Sequence, residues 1–251
     1  MKTFEEFEEE QKYRTLYEGV DIDLSTKTVK LTDKHEKGVN TSIQDNPTIT
    51  DRAISVFKRN KNSEGSSDGN PLVHALKNRN NWNISNEDRE EIMNRVSKIL
   101  KKVEYDFDVV ILAPSSSGFL KEFSDIVHET FRVPIFDSCF SKRTTSEIYD
   151  TMDWTIFTEE ERTRIQTSFK QMGEYFESKK FPKDTALIQK MENSIVKLDP
   201  YLSGVEINNK KILILDDILS SGMTLSHCAK ILKESYFPES VFNLVLFGEL
   251  S

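Results

Sequence analysis

Near Tyr105 the chain changes from a polar, irregular stretch to an alternation of apolar runs and amphipathic segments. Phe107-Asp108-Val109-Val110-Ile111-Leu112-Ala113 is almost continuously apolar, the pattern of a strand buried on both faces. Pro114-Ser115-Ser116-Ser117-Gly118 signals a turn, and Phe119, Phe123, Ile126, Val127 and Thr130 follow at helical spacing before a short strand at Val133-Pro134-Ile135-Phe136. Thr158 with Glu161 makes a capping-box pattern. Ile165, Phe169, Met172 and Phe176 recur at i, i+4, i+7 and i+11, which predicts one helix carrying all four. After the punctuation of Asp199-Pro200 and Ser203-Gly204, Lys211-Ile212-Leu213-Ile214-Leu215 reads as a second buried strand. A helix with Leu225, Cys228 and Leu232 on one face comes next, and Val241 to Phe247 reads as a closing strand. Alternating strands and helices build a parallel sheet with helices on its faces, so residues 105–251 are expected to form an α/β core.

Residues 1–104 read as a mostly helical N-terminal extension. Thr28-Val29-Lys30-Leu31 suits a short strand, Asp51 to Lys58 a short helix, and Ser63 to Pro71 a loop. One later helix is clear: Ser85 and Asp88 suit its start, and Ile92, Met93, Val96, Ile99, Leu100 and Val103 make its apolar face.

With 251 residues, 37% of them hydrophobic and 30% charged, the composition is that of a globular protein with a sizeable core. No uninterrupted apolar stretch approaches the roughly 20 residues of a membrane span, so no membrane partner is expected. The acidic opening Met1 to Glu10 lacks the apolar centre of a secretory signal, which makes the cytoplasm the expected location. Cys139 and Cys228 lie far apart, and with His35, His74, His128 and His227 they form no metal-ligand spacing, so neither a zinc site nor a disulfide framework is indicated. A net charge of −8 disfavours bulk nucleic-acid binding, and a polyanionic small ligand would need a local site of backbone amides. A homo-oligomer is compatible with the sequence.

The segment richest in chemistry is Leu213-Ile214-Leu215-Asp216-Asp217-Ile218-Leu219-Ser220-Ser221-Gly222-Met223-Thr224-Leu225. An apolar strand delivers two carboxylates at its end, and a hydroxyl-rich turn containing glycine then opens a helix. Such a turn offers backbone N–H groups at a helix N-terminus, where the dipole favours a phosphate. The carboxylates can accept hydrogen bonds from ribose hydroxyls or help to hold a hard divalent cation. In open α/β sheets, ligands bind beyond the strand C-termini, where this segment would lie.

This segment closely resembles the phosphoribosyl pyrophosphate signature of the type I phosphoribosyltransferases, in which apolar residues precede two acids, two further apolar residues and a Ser/Thr-Ser/Thr-Gly-x-Thr turn. The resemblance implies that Asp216 and Asp217 contact the ribose hydroxyls and hold Mg²⁺ directly or through water. It assigns Ser220, Ser221, Gly222, Met223 and Thr224 to the 5′-phosphate. Ser115, Ser116, Ser117 and Gly118 occupy the place of the family's pyrophosphate loop. Cys139 to Thr145 occupies the place of its mobile loop, so that Lys142 or Arg143 would neutralise the leaving pyrophosphate. With a helix carrying Glu161, Arg162 and Arg164 between that loop and the main motif, the layout is similar to competence-associated phosphoribosyltransferase-like proteins. The resemblance runs from Asp106 to Gly248 in order of elements, and its specificity rests on Leu213 to Leu225. The family recognises its base with a variable hood, a role open to residues 1–104, where Asp68, Asn70 and His74 are candidates. A turn followed by a helix also accounts for those three. Trp82 and Trp154 could stack on a base or serve as core aromatics.

The implied partner is phosphoribosyl pyrophosphate or a related nucleotide, with Mg²⁺ as cofactor. The implied reaction is transfer of the phosphoribosyl group to a nitrogen nucleophile with release of pyrophosphate. Two other readings stay open: a nucleotide-sensing or regulatory protein that keeps the fold without transfer, and a hydrolase of a phosphoribosyl or nucleotide substrate. No basic residue lies between Pro114 and Leu120, which leans toward the sensor.

Overall fold

Apolar side chains alternate between two sides of the same strands, and that alternation divides the core in two. Val110, Leu112, Leu213, Leu215, Leu244 and Leu246 belong to one hydrophobic cluster, whereas Val109, Ile111, Ala113, Ile212, Ile214 and Val245 belong to the other. Successive strand residues point to opposite faces, so a sheet must run between the clusters with both faces covered. The computed structural model describes residues 20–23, 25–31, 48–49, 53–58, 71–115, 118–176, 180–181, 184–191, 195–199, 206–219 and 222–248.

In chain order, the strands are β1 (Val20–Asp23), β2 (Thr28–Leu31), β3 (Thr48–Ile49), β4 (Ala53–Lys58), β5 (Asn83–Ile84), β6 (Val109–Leu112), β7 (Ile135–Phe136), β8 (Phe140–Lys142), β9 (Val196–Leu198), β10 (Lys211–Ile218) and β11 (Ser240–Gly248). The helices are α1 (Pro71–Leu76), α2 (Asn86–Leu100), α3 (Phe119–Phe131), α4 (Thr145–Thr151), α5 (Glu159–Lys170), α6 (Thr185–Lys190) and α7 (Met223–Ser235). The central sheet has the order β3-β4-β11-β10-β6-β7. Its neighbours pair in parallel from β4 through β7, and only the edge strand β3 runs antiparallel. This mostly parallel sheet flanked by helices is the expected α/β class. Two small sheets, β1-β2-β5 and β8-β9, lie outside it.

The strand β4 replaces the helix expected from Asp51 to Lys58. Ala53-Ile54-Ser55-Val56-Phe57 is buried throughout and pairs in parallel with β11, with Ile54 opposite Leu244. A short apolar run has no periodicity that separates a buried strand from a helix, and pairing with β11 decides the matter. Residues before 105 therefore supply two members of the central sheet, β3 and β4, and three further strands, β1, β2 and β5, beside the helices α1 and α2.

Three other expectations change in detail. Pro71 opens α1 rather than closing a loop, as its fixed φ allows at a first helical position. The strand expected at Val133 to Phe136 is confined to β7. The helix expected to reach Phe176 ends at Lys170, because Gly173 follows and Thr145 binds the exit backbone: its N–H donates to the Glu174 carbonyl (2.7 Å) and its hydroxyl to that of Gly173 (2.7 Å). Met172 and Phe176 still pack on the same cluster as Ile165 and Phe169. The starts of two helices follow the sequence: Ser85 accepts from the Asp88 N–H at 3.0 Å, and Thr158 with Glu161 completes a capping box.

Ile54 is fully buried in β4. Ile54→Ala should lower the unfolding free energy by roughly 2–4 kcal/mol in urea denaturation, whereas an exposed helical site would lose well under ~1 kcal/mol.

Candidate functional site

The site forms where the apolar pattern of β10 runs out. Ile212 to Leu215 are fully buried, and the next two positions are Asp216 and Asp217. The parallel register brings the exit of β6 beside them, with the Ala113 N–H donating to the Leu215 carbonyl at 2.8 Å. Pro114 and Ser115 therefore stand next to the acid pair at the C-terminal edge of the sheet. A third segment arrives from α1, whose Leu72 and Leu76 are buried in the core while His74 and Lys77 line the cavity. Arg89 of α2 fixes the end of α1 by donating to the Leu76 carbonyl at 3.0 Å and pairing with Glu122 of α3. Asn78, Asn80 and Asn81 then take left-handed backbone conformations, which asparagine tolerates better than most residues, and the turn carries Arg79 to the cavity wall.

The cavity has a volume of about 270 Å³. Lys142, at the end of β8, closes one side of it, and Gly222, Met223 and Thr224, at the start of α7, close another. Gly222 has φ of 72°, a conformation that glycine adopts without the Cβ penalty, and its carbonyl accepts the Ser226 N–H at 2.9 Å. Gly222, the N-cap of α7, makes no side-chain cap bond, and the N-terminal end of this 13-residue helix, whose dipole favours an anion, borders the cavity.

Asp217 is almost fully buried. The Lys77 ammonium sits 2.5 Å from its Oδ2, and both side chains are largely shielded, at 9% and 6% exposure. The Ser115 hydroxyl also approaches Oδ2, at 3.5 Å, and the Asp217 N–H donates to Asp216 Oδ1 at 2.8 Å. Burial and the adjacent Asp217 carboxylate push Asp216 up to about 7, against the opposing pull of that N–H and of Lys77 and Lys142. A site with one carboxyl group poised near neutrality, cations on two sides and a helix N-terminus suits a ligand carrying both hydroxyl and phosphate groups.

Of the residues proposed from sequence, the fold brings Ser115, Lys142, Asp216, Asp217, Gly222, Met223 and Thr224 to one cavity. Arg143 is not among its lining residues: its N–H donates to the Ile195 carbonyl at 2.9 Å and its guanidinium to the Thr151 hydroxyl at 3.3 Å. Arg143 lies just past the end of β8, and these bonds hold it toward Ile195 and Thr151. Gly118 precedes α3 with ordinary helical angles and also stands outside the lining. Ser116, Ser117, Ser220 and Ser221, like Asp68 and Asn70, lie outside the described residues. His74 does reach the cavity, whereas Trp82 packs against the first core cluster. Trp154 donates to the Tyr149 carbonyl at 3.0 Å within an aromatic group of Tyr149 and Phe157. In α5, Glu161 pairs with Lys190 and Arg164 with Asp184, so this helix is tied to α6 and the residues before it rather than to the site.

Lys77 and Arg79 had no signal of their own in the sequence. The nearest hint was the spacing of His74 and Lys77, one helical turn apart behind Pro71, which becomes meaningful only once α1 is placed over the end of β10.

A second cavity of about 630 Å³ adjoins the first and shares Pro114, Ser115 and Lys142 with it. Its walls are more apolar, with Leu112, Leu120, Phe140 and the partly exposed Tyr175. Both cysteine thiols are buried away from these cavities, and burial pushes Cys139 up to about 12. Among the described residues, no group of three or more His, Cys, Asp and Glu side chains could hold a metal by itself. Two carboxylates are as many as Mg²⁺ commonly takes from a protein, with ligand phosphates and water completing its shell, although Lys77 already pairs with one of them here.

No family model matches the chain, and no curated protein matches it. Among solved structures, it is similar to a hypothetical protein from Neisseria gonorrhoeae with bound ppGpp, at 15% identity over 66% of this chain and 70% of that one, with a TM-score of 0.38. It is also similar to adenine phosphoribosyltransferase from Leishmania tarentolae, at 10% identity over 92% of this chain and 94% of that one, with a TM-score of 0.36. No helix among the described residues is long and apolar enough to cross a membrane.

The elevated Asp216 fixes the sign of a pH effect. Its folded value of about 7 exceeds its ordinary value of 3.8, so the folded state binds the proton more tightly and loses stability as pH rises between the two. Asp216→Asn removes that loss. In thermal or urea melts the variant should gain relative to the wild type across this interval and plateau above pH 7, by roughly 2–4 kcal/mol in total. A difference independent of pH would contradict the elevated value.

Proposed function

We propose that the cavity at the C-terminal ends of β6 and β10 binds phosphoribosyl pyrophosphate or a closely related phosphoribosyl nucleotide together with Mg²⁺, and that the protein transfers the phosphoribosyl group to a nitrogen nucleophile. The observation that carries this reading is the convergence on one cavity of the Asp216–Asp217 pair and the N-terminal start of α7 at Gly222. The acids accept hydrogen bonds from the ribose hydroxyls, and the first turn of α7 receives the 5′-phosphate. Ser115 and Lys142 stand on the side where the departing pyrophosphate would collect charge, and the adjoining apolar cavity offers room for a planar acceptor.

In this reaction the bond from ribose C1 to the pyrophosphate oxygen breaks, and its electron pair leaves with pyrophosphate. A nitrogen lone pair forms the new bond to C1, and the nucleophile's proton passes to solvent. The chain contributes orientation of the two reactants and electrostatic support for a ribosyl centre that becomes cationic. Asp216 and Asp217 would hold Mg²⁺, which when bound would supply further neutralisation of the leaving group.

The Lys77–Asp217 ion pair favours a second reading, a nucleotide sensor that binds without transfer, because an internal cation already satisfies one of the two acids.

Calorimetric titration with phosphoribosyl pyrophosphate and Mg²⁺ should give saturable binding to the wild type and a loss of at least tenfold in affinity in the Asp216→Asn/Asp217→Asn double variant. Pyrophosphate release that needs an added base supports transfer, release without one supports hydrolysis, and binding without release supports the sensor. No binding by a well-folded wild type would remove the phosphoribosyl reading altogether.

A further inference from the structure

We propose that Lys77 is the resident counter-cation of the acid pair, and that a divalent metal ion binding at Asp217 Oδ2 displaces it. The inference extends the metal-assisted reading of this site and rests on it for the identity of the incoming ion.

Asp217 Oδ2 faces the Lys77 ammonium at 2.5 Å and the Ser115 hydroxyl at 3.5 Å, while Asp216 Oδ1 accepts the Asp217 N–H at 2.8 Å. One oxygen of each carboxylate, Asp217 Oδ2 and Asp216 Oδ1, is therefore already engaged within the chain. Lys77 and Asp217 are each more than nine-tenths shielded, so little water screens a second positive charge placed beside the first. An ammonium ion and a divalent ion cannot share one carboxylate oxygen at contact distance in such surroundings.

The Lys77 backbone is held in place. Its N–H donates to the Val73 carbonyl at 3.0 Å, Leu72, Ala75 and Leu76 are buried, and Arg89 grips the Leu76 carbonyl. Displacement must therefore occur by rotation of the flexible four-carbon side chain within the cavity it already lines. Arg79 lines the same wall, so a released ammonium joins a cationic surface facing the space an anionic ligand would fill. Metal entry at Asp217 and exposure of Lys77 to phosphate then become one exchange of cations. Lys77 acts in this exchange as a positioning residue that sets metal affinity.

Mn²⁺ alone, followed by water-proton relaxation, reads the exchange without turnover. The Lys77→Met variant should bind Mn²⁺ at least tenfold more tightly than the wild type. Arg79→Met, which removes equal charge from the same cavity, should shift affinity less than threefold. Equal Mn²⁺ affinity in wild type and Lys77→Met, or Mn²⁺ bound by neither, overturns the proposal. A second measurement uses the wild type and so does not depend on the folding of any variant: acetylation of individual lysines by an activated acetate ester, mapped by mass spectrometry. Saturating Mn²⁺ should speed modification of Lys77 several-fold, and an unchanged or slowed rate overturns the proposal. Failure of the phosphoribosyl reading would look different, since phosphoribosyl pyrophosphate would give no heat while Mn²⁺ still exchanged with Lys77.

Discussion

The structure depends on burying β10 on both faces and then ending it in two adjacent carboxylates. Four fully buried residues, Ile212 to Leu215, lock the strand between β6 and β11, so its end cannot slide or turn outward. A one-residue slip would move every apolar side chain to the wrong cluster. The acids are consequently held at the sheet edge, where burial and its neighbour raise Asp216 above the usual carboxylate range. Everything else around the site can be read as compensation: a lysine on Asp217, a second lysine across the cavity, and a helix N-terminus.

That compensation comes from segments far apart in sequence. Lys77 follows α1, Ser115 follows β6, Lys142 ends β8, and Gly222 opens α7. A chain with net charge −8 thus gathers Lys77, Arg79 and Lys142 around one acid pair, where a small anionic ligand could use them. The N-terminal region has two roles in this arrangement. Through β4 it widens the parallel sheet beside β11, and through α1 and the asparagine-rich turn after it, it supplies the lysine and arginine on one wall.

The core strands were legible in the sequence because burial on both faces leaves continuous apolar runs, as in Val109 to Leu112 and Ile212 to Leu215. The acid pair and Gly222 were legible because their chemistry is compressed into thirteen consecutive residues. β4 was not, since Ala53 to Phe57 is too short to reveal its period and its partner lies about 190 residues away. Lys77 was hidden for a related reason: nothing local marks a lysine whose carboxylate partner is 140 positions downstream. Arg143 shows the reverse case, in which a suitable residue type beside Lys142 lies past the end of β8 and is engaged by Thr151. The end of α5 was missed because Gly173 and the bonds from Thr145 outweigh an apolar spacing that continues beyond it.

We propose that one cavity, joining the ends of β6 and β10 to the starts of α7 and the Lys77 turn, receives a phosphoribosyl ligand. Hydrogen–deuterium exchange with and without phosphoribosyl pyrophosphate and Mg²⁺ tests it most directly. The account predicts slowed exchange concentrated in peptides covering Asp216 to Leu225, Ala113 to Ser115 and the turn after α1. Protection that appears elsewhere, or none at saturating ligand, would contradict it.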